Sequence, residues 1–427
     1  TVSPTSNLLV FSKDEGGDIH RIRGFVSLNT NRNTAVGDFS MRGMGSSEAA
    51  MASGAGHLTS FIGTATIPSI VWLEQFYNAD SDKEVVGKGT PSTEHSVMSS
   101  YGREGEFECY RRLITEVFPQ GNISIVSDTY DYWNVLTDII PRLKEDILAR
   151  DGKVIIRGDS GNPVDIICGS VVVEKEHIFD NKEDAIATFK DISWDYFKDN
   201  CDSEGYIDYA EYFCKVKDTF YKVKCDAEII SERGGYTDED YYVVDSVLVE
   251  LEEIELSPEQ KGTVELLWET FGGYINEKGY KVLNSHIGAI YGDSITVERA
   301  KAIYDRLEKK GFAATNCTLG AGSYSYQYVT RDTYGQALKA THSVINGEER
   351  QIFKDPKTDN DRFKKSQKGM CYVYKVNEDI LYEDGLSIEE VNLREGNLLE
   401  EIFRDGVLLK DLTLQEIRER LHGKDKF

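Results

Sequence analysis

Lys153-Val154-Ile155-Ile156-Arg157-Gly158-Asp159-Ser160-Gly161-Asn162-Pro163 decides how the rest of the chain is read. Residues 154–156 form a short apolar, β-branched run, as a buried parallel strand requires. The run stops at an arginine, an aspartate, two glycines and a proline. Gly158 and Gly161 let backbone N–H groups come close to an anion. Arg157 presents a planar fork of donors suited to phosphate, and Asp159 suits Mg²⁺ or a sugar hydroxyl. A cation and a carboxylate at the C-terminal end of a buried strand stand where α/β proteins place their chemistry. An ordinary strand-to-loop junction with a surface ion pair is the competing reading of this stretch alone.

The arrangement recurs on both sides. Ile123-Ser124-Ile125-Val126-Ser127-Asp128-Thr129-Tyr130-Asp131 reads as a second buried strand whose end carries hydroxyls and acids. A helix over residues 132–148 links the two strands, and this β–α–β repetition argues for parallel strands with a shared acidic mouth. Further on, Ile287-Gly288-Ala289-Ile290-Tyr291-Gly292-Asp293-Ser294-Ile295 is a strand, a Gly-Asp turn and the start of a helix to about residue 310. Residues 312–319 then run as a strand into Gly320-Ala321-Gly322-Ser323. That loop can wrap a phosphate with backbone donors or be a plain tight turn, and Arg331 and Lys339 follow it. A hairpin is expected over residues 344–353, and a helix over residues 414–422 carries a capping box of Thr413 and Glu416.

Upstream, Asp38-Phe39-Ser40-Met41-Arg42-Gly43 precedes a helix of small residues capped by Ser46 or Ser47. Phe39 and Arg42 suit a flat heteroaromatic ring and a nearby anion. Equally, Phe39 could be core and Arg42 could pair with Asp38. Residues 57–66 read as a strand ending at Gly63, residues 67–77 as a helix, and residues 104–118 as another helix. Between them, Thr93-Glu94-His95-Ser96 presents a histidine among an acid and hydroxyls, either a catalyst or a satisfied structural residue.

Residues 165–278 break the alternation with a stretch rich in Asp, Glu, Tyr and Lys, helical near residues 183–197 and 261–271. They read as an inserted acidic α+β subdomain. Residues 200–211 have EF-hand spacing but start with Asn200 and lack a paired loop, so a chance match in an acidic stretch competes with Ca²⁺ binding. The 427 residues suffice for two or three domains, and 40% hydrophobic with 11% aromatic residues marks a globular chain. A net charge of −25 argues against nucleic acid or an anionic membrane as the main partner. Seven scattered cysteines without CxxC spacing fit a reducing cytoplasm and no structural zinc. No apolar run approaches a membrane span, and the chain opens on Thr1, as a fragment or processed product would.

Taken together, these stretches resemble the nicotinamide phosphoribosyltransferases, within the type II phosphoribosyltransferases, over residues 36–166 and from residue 261 to about the C-terminus. Tyr291-Gly292-Asp293-Ser294-Ile295, Thr330-Arg331-Asp332 and Ile352-Phe353-Lys354-Asp355-Pro356 add to the motifs above in order and spacing. The resemblance implies an α/β fold, an irregular (β/α) barrel with part of an accompanying mixed α/β domain. It divides the chain into a remnant of the N-terminal domain (1–35), barrel (36–164), acidic insertion (165–278), barrel (279–375) and a C-terminal segment (376–427). It implies transfer of phosphoribose from 5-phosphoribosyl 1-pyrophosphate to nicotinamide, with Mg²⁺, ATP as co-substrate and no tightly bound organic cofactor. Its partners are these small molecules and a second copy, in a cytoplasmic homodimer with active sites at the subunit interface.

By the same resemblance His95 is the histidine phosphorylated by ATP, Phe39 stacks on the pyridine ring, and Arg42 and Arg157 lie near pyrophosphate, ribose and base. Asp131 and Asp159 hold Mg²⁺ and orient the base or ribose, with Ser127 among the substrate contacts. Gly292 and Asp293 form the ribose-hydroxyl site, Gly322, Ser323 and Arg331 the 5′-phosphate cradle, and Lys339 and Lys354 lie near nucleotide phosphates. Three departures follow. Ala65 stands where these enzymes carry an aspartate that accepts from the nicotinamide amide, Ser323 replaces a glycine, and an N-terminal segment is absent. Ala65 keeps nicotinate or another base in view, and the short start keeps a non-catalytic nucleotide-binding homologue in view. The acidic insertion resembles bacterial and phage versions.

Overall fold

A computed structural model describes residues 36–200, 212–233, 240–292, 295–330, 333, 338–357, 366–377 and 379–423. Its centre is a six-stranded parallel sheet. The strands are β1 (Val36–Asp38), β2 (Gly63–Thr64), β3 (Ile123–Val126), β4 (Val154–Gly158), β5 (Ile287–Tyr291) and β6 (Cys317–Ala321), in spatial order β2-β1-β6-β5-β4-β3. The quoted stretch is therefore an interior strand, paired on one side with β3 and on the other with β5. Ile123, Ile125, Val154, Ile156 and Ile287 are fully buried, because helices cover the sheet and leave no wet face.

A six-stranded sheet would leave two edges open, and residues 88–93 join them. Lys88 bridges Gly63 on β2, and Ser92 bridges Ser124 on β3, both in parallel. The Lys88 N–H donates to the Ile62 carbonyl at 2.6 Å, and the Thr93 N–H donates to the Ser124 carbonyl at 3.0 Å. The Thr93 hydroxyl oxygen also accepts from the Val126 N–H at 3.0 Å. The sheet thus closes as an irregular barrel in which one side is a loop, consistent with a type II phosphoribosyltransferase fold.

The expected strand over residues 57–66 is corrected. The small-residue helix, capped by Ser46, runs on as Ser47–Leu58, and only Gly63–Thr64 is strand. His57 is a helical residue, fully buried, hydrogen-bonded through Nε2 to the Gly63 carbonyl at 2.9 Å and stacked on Phe61. The other expected helices form as Pro68–Tyr77, Glu106–Arg112 and Val297–Lys309. The hairpin pairs His342–Ile345 with Glu348–Gln351, and Leu414–His422 carries the expected capping box.

Residues 165–278 divide between two packing clusters. Ile166, Ile167, Leu266 and Leu267 belong to the core around the parallel sheet. Phe189, Cys214, Tyr221 and Val249 belong to a second core, where the helix Lys182–Asn200 covers a four-stranded sheet. That sheet includes two 15-residue antiparallel strands, Thr219–Arg233 and Asp240–Ile254. Of the EF-hand-like spacing over residues 200–211, all but residue 200 lies outside the described residues.

Glu106 opens the helix behind β3 and is 5% exposed. Burial pushes its carboxyl up to about 7, with Arg103 pulling it back and Asp131 adding to the rise. The unfolded chain releases that proton near the ordinary value of 4.5, so folding stability is full below that pH and falls as pH rises towards 7. Glu106→Gln removes this dependence. Urea unfolding at pH 5 and pH 7.5 is expected to show the wild type losing about 2–3 kcal/mol more than the variant over that interval.

Candidate active site

At the C-terminal ends of the strands lies a cavity of about 460 Å³. Phe39 follows β1, Ala65 follows β2, Arg157 and Asp159 come from β4 and its end, and Gly292 follows β5; all line the cavity, with Met41, Arg42 and Glu94 at its margin. Four strand ends and the segment carrying Glu94 thus bring five stretches far apart in sequence to one mouth.

Two glycines make room for the aromatic ring. A Cβ on Gly37 would lie 3.2 Å from the Phe39 ring, and one on Gly320 would lie 3.0 Å from it and 2.7 Å from the Gly292 Cα. The Phe39 N–H donates to the Ala321 carbonyl at 2.8 Å, which fixes the ring beside the end of β6. Arg157 is 9% exposed; its Nη2 donates to the Thr93 carbonyl at 2.8 Å, and its buried Nε has no partner. The segment that closes the barrel therefore also aims this guanidinium. Arg42 sits 3.7 Å from Glu94, both well exposed, rather than pairing with Asp38.

Behind the cavity lining, Asp159 joins a largely buried charged cluster. His95 begins the helix His95–Ser100. Its Nδ1 lies 3.1 Å from the Thr129 hydroxyl, and its Nε2 lies 2.7 Å from Lys354 Nζ, 3.4 Å from Asp159 and 3.6 Å from Asp128. Lys354 also reaches Asp128 at 3.3 Å and Asp159 at 3.7 Å. Ser160 donates its hydroxyl to Asp128. Asp128 is 1% exposed and Lys354 6%, so each charge depends on the others for its partner.

Asp131 is not brought to this mouth. It caps the helix Tyr132–Asn134 through the Asn134 N–H at 3.2 Å, pairs with Lys357, and lines a separate cavity of about 660 Å³. The acid at the end of β3 that faces His95 is Asp128. A helix expected to start at residue 132 already made Asp131 its N-cap, which was the signal available in the sequence. Ser127 is fully buried and donates to the Ile125 carbonyl at 2.9 Å, so its hydroxyl is turned into the strand. Gly322 and Ser323 stand at the end of β6, between the ends of β1 and β5, with open space over Gly322. Lys339 is exposed and outside the cavity lining. Asp293 and Arg331 lie outside the described residues. Thr93, Glu94, Thr129 and Ser160 were missed as separate contributors, since only the closed barrel makes them neighbours.

Mg²⁺ can be held by one or two carboxylates plus substrate phosphates, which fits Asp159 at the cavity and Asp128, whose buried Oδ1 lacks a hydrogen-bond partner. Among the described residues no group of three or more His, Cys, Asp or Glu side chains could form an all-protein metal cage. Asp131, engaged with Lys357, does not fit that role. Asp128→Ala leaves the Lys354 ammonium buried with one carboxylate fewer. Denaturant unfolding is expected to show a loss of about 3–5 kcal/mol, against under 1 kcal/mol for Glu94→Ala at the exposed pair.

The model of the nicotinate phosphoribosyltransferase (NAPRTase) family matches residues 34–217 and 250–394, and the break between them falls in the long antiparallel hairpin. A protein of Acinetobacter baylyi named nicotinamide phosphoribosyltransferase is 39% identical over 390 residues, which is 90% of this chain and 60% of that protein. Proteins of the same name from Mycoplasma pneumoniae and Xanthomonas campestris are 31% and 28% identical, over 75% and 89% of this chain and 50% and 61% of their own length. The chain therefore spans half to three-fifths of the length of these curated relatives. With the family match covering most of its residues, the chain belongs to the nicotinate phosphoribosyltransferase (NAPRTase) family.

Proposed function

We propose that this chain carries the site for transferring phosphoribose from 5-phosphoribosyl 1-pyrophosphate to nicotinamide, giving nicotinamide mononucleotide and pyrophosphate. The observation that carries the reading is the meeting of Phe39, Arg157, Asp159 and Gly292 in one cavity, with His95 3.4 Å from Asp159. The relatives' shared name supports the base. Phe39 offers a face for the pyridine ring, and the unpartnered Arg157 Nε offers a buried donor to a phosphate or carbonyl oxygen. The C1–O bond to pyrophosphate breaks with its electron pair on the leaving oxygen, and the ring nitrogen supplies the pair for the new C1–N bond. Arg157 stabilises the charge that develops as pyrophosphate departs. Mg²⁺, held by Asp159 and substrate phosphates, would add Lewis-acid stabilisation of the same charge.

His95 is read as the phosphate acceptor from ATP: Nε2 forms the N–P bond, and the bond to ADP breaks with its pair on the ADP oxygen. Lys354 would meet the incoming phosphate. A homodimer is supported by the exposed Ile67, Val71, Phe76 and Tyr77 along the helix that follows Ala65. A cytoplasmic setting is supported by the described cysteines, all of which are free thiols.

Nicotinate is the second reading, because Ala65 places a methyl rather than an acceptor in a cavity that already holds two arginines. Product analysis with each base, donor, Mg²⁺ and ATP separates them: nicotinamide is expected to turn over faster, and Ala65→Asp to widen its lead about tenfold. No product with either base would sink the enzyme reading. Arg157→Ala is expected to lower kcat/KM by about 10²–10³-fold, the effect of losing one preorganised donor at a developing charge.

A further inference from the structure

We propose that Lys354 is a latch on His95: its ammonium caps the Nε2 lone pair, and an incoming phosphate bares that nitrogen by taking the ammonium over. An ammonium has donors and no acceptor, so the 2.7 Å contact with Lys354 Nζ makes the ring nitrogen an acceptor, against a much longer 3.4 Å approach to Asp159 that a proton on Nε2 would serve. The ring proton then belongs on Nδ1, which lies 3.1 Å from the Thr129 hydroxyl oxygen that can accept it. The Lys354 Nζ also lies 3.3 Å from Asp128 and 3.7 Å from Asp159, so both carboxylates balance its charge.

A nitrogen whose lone pair accepts a charge-assisted hydrogen bond is not available to bond phosphorus, so the ammonium must leave first. Water cannot easily draw it off, because Lys354 is 6% exposed. A phosphate oxygen can, since its charge competes with a neutral imidazole. It has a route: Asp159 lines the cavity and lies 3.7 Å from the same ammonium. The backbone need not move. Asp355 and Lys357 donate their N–H groups to the carbonyls of Thr129 and Tyr130, at 3.2 and 3.1 Å, and tie the segment to the strand end. Release is then a side-chain rotation that links phosphate arrival to His95 reactivity.

The proposal rests on the reading of His95 as phosphate acceptor, and its test reads the imidazole instead of turnover. Diethyl pyrocarbonate acylates unprotonated imidazole nitrogen and, being neutral, needs no cation to bind. Modification is followed residue by residue by peptide mass spectrometry on the full chain. Lys354→Met is expected to raise the rate at His95 about tenfold, the effect of freeing a nitrogen from a charged hydrogen bond, with His286 and His342 unchanged. In the same variant phosphate transfer from ATP to His95 falls, so the two reactivities move in opposite directions. An unchanged or slower rate at His95 overturns the latch. Absence of ATP-driven phosphorylation in the wild type sinks the acceptor reading but leaves the acylation result to be judged alone. Should Lys354→Met unfold, the wild type still decides. Its ¹⁵N-histidine spectrum, with His95→Gln to identify the signal, is expected to show a protonated Nδ1 and a bare Nε2. A protonated Nε2 overturns the proposal.

Discussion

Residues 88–93 hold the two edges of a six-stranded parallel sheet together, and the mouth depends on that closure. Each edge strand carries backbone groups that need partners. One irregular segment supplies them, bridging Gly63 at one edge and Ser124 at the other. The same segment accepts from Arg157 through the Thr93 carbonyl and continues directly into Glu94 and His95. Barrel closure and assembly of the charged wall are thus one structural event. A chain that paired its strands but left this segment free would have neither the aimed guanidinium nor the histidine beside Asp159.

The second constraint is electrostatic. A chain of net charge −25 places a lysine and a histidine each within about 4 Å of the same two aspartates at the edge of a cavity. Buried ions are tolerated only when paired and hydrogen-bonded, and this set satisfies that by mutual contact: Lys354 serves both carboxylates, Ser160 serves Asp128, and Thr129 serves His95. The overall negative charge therefore says little about the ligand. Local donors at the strand ends, Arg157 above all, set what the cavity attracts. Among the described residues of the acid-rich stretch, Phe189, Cys214, Tyr221 and Val249 pack into a small core of their own.

Within the mouth, glycine performs a steric role that no other residue could. Gly37 and Gly320 face each other in register on β1 and β6, and the Phe39 ring occupies the space their missing side chains leave. A methyl at Gly320 would drive into the Gly292 Cα, the position that brings β5 up to Arg157 and Asp159. Tight backbone approach and aromatic presentation are therefore coupled through the same few positions.

Much of this was legible in the residues alone. Short β-branched runs ending in Gly, Asp and Arg mark interior parallel strands and their chemical ends, because a strand buried on both faces must be apolar until it leaves the sheet. That reading located β3, β4, β5 and β6, and with the motif order it named Phe39, His95, Arg157, Asp159 and Gly292. It put both Asp128 and Asp131 at the end of β3, and the resemblance took Asp131, whereas Asp128 is the one that lies beside His95. Both acids sit at one strand end, and only the direction in which the chain turns into the helix decides that Asp131 caps it while Asp128 faces inward. Nor could it extend the small-residue helix through His57, since burial against Gly63 and Phe61 is a tertiary fact. Local pattern determined the strands and the kinds of side chain at their ends. Which of those side chains share one cavity, and which nitrogen of His95 meets Lys354, followed only from closing the barrel, because contacts between residues 95, 128, 159 and 354 have no local signature.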